Sequence, residues 1–102
     1  MTQADDDGDS GFSPPPFNAE HALQQMKRAL RDNKLAERGP GFEVRGKRIA
    51  ELVVNGPAIE AKLARKPALT PEWDKSTLKS VTEQRRWLDE LSKRLKRWEN
   101  ED

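Results

Sequence analysis

The sequence predicts a small α+β domain of order α-β-β-β-α: two layers, with a three-stranded antiparallel meander packed by two helices. Three observations predict it. Apolar residues recur at three- and four-residue spacing after Asn18, alternate on both sides of Asn55-Gly56, and repeat every seven residues after Ser80. These segments fill residues 18–102, read as a single domain. Residues 1–17 are read as a disordered arm, acidic and Pro-rich.

The arm opens MTQADDDGDSGFSPPP, with acidic and small residues followed by three prolines that cannot donate backbone hydrogen bonds and favour extended chain. Its DDDGDSG run invites comparison with an EF-hand loop. Placing Gly8 at the sixth position, however, puts Gln3 at the first and Pro14 at the twelfth, where a bidentate Glu belongs. A solvated acidic tail is the simpler reading.

From Asn18 the pattern is helical. Asn18 is a suitable N-cap and Phe17 stands at the staple position before it. Ala19, Ala22, Leu23, Met26 and Leu30 then form one apolar stripe, opposite Lys27, Arg28, Arg31 and Lys34. The helix must end by Gly39-Pro40-Gly41, or already at Asn33.

Residues 42–66 are read as strands. Asn55-Gly56 predicts a two-residue type I′ turn, which places Leu52 opposite Ile59 and Ala50 opposite Ala61. A three-residue loop at Gly46, Lys47 and Arg48 places Val44 opposite Ala50 and Phe42 opposite Leu52. Phe42, Val44, Ala50, Leu52, Ile59, Ala61 and Leu63 then share one face. A helix through residues 47–54 competes on local propensity, but Gly46 and Asn55-Gly56-Pro57 limit it to about two turns.

Thr70-Pro71-Glu72 reads as the cap, first proline and first-turn acid of a short helix bearing Trp73. Trp73 is read as a plug between sheet and helix. Ser80-Val81-Thr82-Glu83 is a capping box that opens a longer helix to about Trp98, with Val81, Gln84, Leu88, Leu91, Leu95 and Trp98 as its stripe. Two and a half heptads are too few to require a coiled coil, so the helix is expected to pack on the core.

Composition narrows the function. With no cysteine, disulfides, thiolate zinc sites and thiol catalysis are excluded together. His21 is the single histidine, and Glu20 beside it points about 100° away around the helix, so no general-base or metal pair forms there. Tyrosine and a Gly-rich phosphate loop are also missing. Glu43, Glu51 and Glu60 have basic neighbours that make ion pairing their simplest role. The expectation is a protein that is not an enzyme and holds no cofactor or metal. No run approaches the ~20 apolar residues of a membrane span, and a cytoplasmic protein is the default reading.

Charge supplies the functional leads. All 19 Lys and Arg lie within residues 18–98. Four aspartates in the arm and three acids at the other end lie outside that stretch, which leaves 11 of the 18 acids inside it and a net charge of +8. The first expectation is a protein-interaction module or accessory subunit, with a protein partner or a second copy docking on the open sheet face at Ile49 and Val53, or at Trp87 on the edge of the last helix's stripe. The alternative is a nucleic-acid-associated protein that contacts phosphates through Arg85, Arg86, Lys93, Lys96 and Arg97. Asp89 and Glu90 interrupt that face and are expected to pair with Lys93, Arg86 or Arg94.

Overall fold

The computed structural model describes residues 17–100, so the arm lies outside them except for Phe17. They form two helices and a five-stranded antiparallel sheet: α1 (Ala19–Asp32), β1 (Ala36–Arg38), β2 (Gly41–Val44), β3 (Lys47–Asn55), β4 (Ala58–Ala68), β5 (Trp73–Leu78) and α2 (Val81–Asn100). Neighbouring strands pair in sequence order, making the whole sheet a meander. The α+β class and both long helices match expectation. The strand count does not, being five rather than three.

Helix α1 forms as its sequence dictates. The Asn18 side chain accepts a hydrogen bond from the His21 amide at 3.0 Å, and Ala19, Ala22, Met26 and Leu30 are buried. The helix ends in a Schellman motif: Leu35 N–H donates to the Leu30 carbonyl and Lys34 N–H to that of Arg31. Lys34 takes the left-handed position of this motif, at φ 67°, where glycine is usual.

The two hairpins around β3 differ from expectation in register. Val44 pairs with Lys47, so the β2–β3 turn consists of Arg45 and Gly46 rather than a three-residue loop. Both turn residues have positive φ, 53° and 78°, as type I′ requires. Phe42 consequently faces Ala50, not Leu52. At the next hairpin Asn55 pairs with Ala58 and the turn is Gly56-Pro57, with Gly56 at φ 60° and a proline ring that fixes the negative φ after it. Leu52 therefore lies opposite Ala61 and Ala50 opposite Leu63. This slip is two residues, an even number, so Ala50, Leu52, Ile59, Ala61 and Leu63 keep their predicted face. Gly39-Pro40 makes a turn of the same composition between β1 and β2, whose last pair is Arg38 with Gly41.

Ile49 overturns one placement. The register shifts between Phe42 and Glu43 on one side of β3, and between Arg48 and Ala50 on the other, where Arg48 pairs with Ala68 but Ala50 with Leu63. Ile49 is the extra residue opposite β2, while on the other side the longer stretch, residues 64–67, belongs to β4. Consecutive residues there turn to the same side, and both Ile49 and Ala50 are fully buried. Ile49 is thus a core residue and not part of the open face.

The expected short helix at residues 70–73 is also corrected. Trp73–Leu78 is edge strand β5, paired with β4 from Ile59↔Leu78 to Ala64↔Trp73. Pairing along an existing strand outweighs the local helix-start signal of Thr70-Pro71-Glu72. Trp73 is half-buried against the core.

One core joins all the layers. Met26, Leu30, Phe42, Ile49, Ile59 and Leu91 are its largest fully buried side chains, from both helices and three strands. Helix α2 starts with Ser80 Oγ accepting from the Glu83 amide, while the Glu83 carboxylate reaches back to the Lys79 N–H at 2.7 Å. Its buried face is Gln84, Trp87, Leu91 and Trp98, so Trp87 replaces Val81, which is exposed.

Candidate anion-binding face

Helix α2 is oriented by Arg94. Its Nη1 lies 2.9 Å from Asp74 Oδ2 on β5 and 3.0 Å from the Ala64 carbonyl on β4, and its Nε donates to Glu90 at 2.8 Å. Asp74 also accepts from Arg65 Nε at 3.0 Å. The hydrogen bonds from Arg65 and then Arg94 hold the Asp74 carboxyl below its ordinary value, against a smaller opposing effect of burial. This ion-paired buckle fixes which face of α2 meets water.

That outward face carries the predicted cations. Arg85, Arg86, Lys93, Lys96 and Arg97 are all exposed, and among the described residues none has an ion-pair partner. Of the pairings expected for Asp89 and Glu90, the one that forms is Glu90 with Arg94. At 100° per residue the five cations span about 120° of the helix, with Asp89 as the single acid among them.

A groove of about 750 Å³ adjoins this face and was not foreseen from sequence. Five cations line it: Lys34 after α1, Arg45 in the β2–β3 turn, Lys47 opening β3, Lys66 on β4 and Lys96 on α2. Its apolar lining comes from Val44, Pro67, Leu95 and Trp98, and among the described residues Glu99 is its one acid. Among the described residues Lys34, Lys47, Lys66 and Lys96 have no ion-pair partner. The residues come from four separated stretches of chain, so no spacing in the sequence announces the cluster. Lys96 alone belongs both to the predicted face and to the groove.

The open face of the sheet is different in kind. Most of its charges are held by neighbours: Glu51 accepts from Arg48 at 2.8 Å and lies 3.7 Å from Lys62, Arg38 pairs with Glu43, and Glu60 accepts from Thr77 at 2.9 Å and Asn55 at 3.3 Å, while Lys75, opposite Lys62, has no ion-pair partner among the described residues. Arg48 crosses directly above Gly41, where a Cβ would stand 2.9 Å from its Nη1. Val53 remains exposed there, at 47%. Of the three proposed docking residues it is the one left at the surface, because Ile49 is at the bulge and Trp87 is buried in the core with its indole N–H unpaired.

Nothing among the described residues brings three metal-ligating side chains together. No described helix is long and apolar enough to cross a membrane. No family model, curated protein or solved structure matches this chain.

Proposed function

We propose that the chain is a non-enzymatic binding module whose partner is a nucleic acid, held by its phosphates on the outward face of α2. One observation carries this reading: Arg85, Arg86, Lys93, Lys96 and Arg97 stand exposed without ion-pair partners among the described residues, while Arg94 takes up both Glu90 and Asp74. From Arg86 to Arg97 the face runs about 16 Å, comparable to about five phosphates along one strand. Phosphate contacts of this kind position a partner without reading its sequence. Changing Arg86, Lys93 and Arg97 together to Glu tests it. Loss of binding to random-sequence oligonucleotide with the helical spectrum retained is the expected result, and undiminished binding refutes the reading.

A second reading rests on Val53. A β-branched residue 47% exposed near the β3–β4 hairpin end of an open sheet face, beyond the last β2 pair at Glu51, suits docking of a protein or a second copy. The self-neutralised charges around it would form a rim.

A further inference from the structure

We propose that the groove between α2, the β2–β3 turn and the end of α1 accepts one nucleotide of a single-stranded nucleic acid, its base against the apolar lining and its phosphates at the lysine rim. The proposal rests on the nucleic-acid reading of α2 and extends it to a second, separately testable site.

Three observations carry it. The groove, at about 750 Å³, is of ligand size. It joins two chemistries: Val44, Pro67, Leu95 and Trp98 give an apolar lining, and Lys34, Lys47, Lys66 and Lys96 bring four cations without ion-pair partners among the described residues. A ligand that satisfies both has a flat apolar ring next to a phosphate. Bases in a duplex are stacked away from such a recess, whereas a single strand can splay one out and lay it on an apolar or aromatic surface.

The third observation is conformational. Lys34 and Arg45 are the non-glycine residues with positive φ among those described, and both line this groove. Glycine at Lys34, or Asn at Arg45, would suit those turns better. At Lys34, a long cation without an ion-pair partner among the described residues holds a strained position on this rim, which fits a requirement for charge there. Lys96 is shared between the α2 face and the groove rim, while Arg86, Lys93 and Arg97 lie about 60 to 100° further round the helix.

The test compares fluorescence anisotropy of a labelled oligothymidylate with that of a duplex of equal length, for the native chain, for Lys47→Glu/Lys66→Glu and for the α2 triple variant. The groove variant should weaken single-strand binding about tenfold or more and leave duplex binding nearly unchanged. If single-strand affinity is unaffected by the groove variant but lost in the α2 variant, the groove proposal falls and the α2 reading stands. If neither variant loses affinity, both fall. Oligoglutamate competing as well as oligothymidylate would identify an acidic peptide as the occupant and overturn the proposal. Photo-crosslinking with a 5-iodouracil oligonucleotide is independent of mutant folding: attachment within the peptide holding Leu95 and Trp98 supports the site, and attachment confined to other peptides overturns it.

Discussion

Lys34 and Arg45 hold left-handed backbone, at φ 67° and 53°, and line the same groove from two different turns. A side chain with a Cβ costs about 1 kcal/mol in this region, so each position gives up stability that glycine or asparagine would restore. Lys34→Gly is therefore expected to raise the unfolding free energy by about 1 kcal/mol in urea titration. The same substitution should weaken oligonucleotide binding. A variant more stable yet unaltered in binding would mark Lys34 as a turn residue only.

Arg94 ties α2 to β4 and β5 through the Ala64 carbonyl and the Asp74 carboxylate, with its side chain 14% exposed. Replacing it by Met keeps the apolar stem but leaves that carbonyl and Glu90 without this donor and Asp74 with Arg65 alone. A loss of about 2 kcal/mol is expected from chemical denaturation. Arg86→Met, one face over and unpaired, should change stability by less than about 0.5 kcal/mol.

The lowered carboxyl value of Asp74 gives a pH signature. Its two guanidinium partners favour the charged form in the folded chain, so their stabilising contribution is complete above the ordinary aspartate range, about 3.9, and disappears as pH falls through the lower folded value. Asp74→Asn should reduce stability at neutral pH and flatten its decline in that acid window. Parallel acid-denaturation curves for the two proteins would show that the contacts contribute nothing.

Ile49 and Val53 lie on the same strand and should respond oppositely. Ile49 is fully buried at the bulge, and Ile49→Ala is expected to cost about 2 to 4 kcal/mol. Val53→Lys on the open face should leave the melting transition within a few degrees of the native one. If Val53→Lys unfolds the chain, the open face is covered in the native molecule.

Residues whose environment is set by their neighbours in sequence were legible. Asn18 caps α1, Ser80 caps α2, and the apolar alternation of Ala50, Leu52, Ile59, Ala61 and Leu63 points to the core as expected. Parity survives a two-residue register slip, which is why the faces were right while the pairs were wrong. Strands β1 and β5 escaped because edge strands need little apolar pattern: Ala36–Arg38 is wholly exposed, and within Trp73–Leu78 only Leu78 is fully buried. Ile49 was misplaced because a bulge breaks the alternation without a mark of its own. Of the candidate site, the cations of α2 were visible through helical spacing. The groove was not, since Lys34, Lys47, Lys66 and Lys96 meet only when the sheet and both helices assemble.

The most direct test of the polyanion reading is the salt dependence of oligonucleotide binding by the native chain. Contacts from the five α2 cations predict that log affinity falls linearly with log salt, with a slope of about −3 or steeper for a single strand, and that the α2 triple variant loses most of that slope. No measurable binding at about 50 mM salt, or a slope near zero, would contradict it and return the Val53 face to first place.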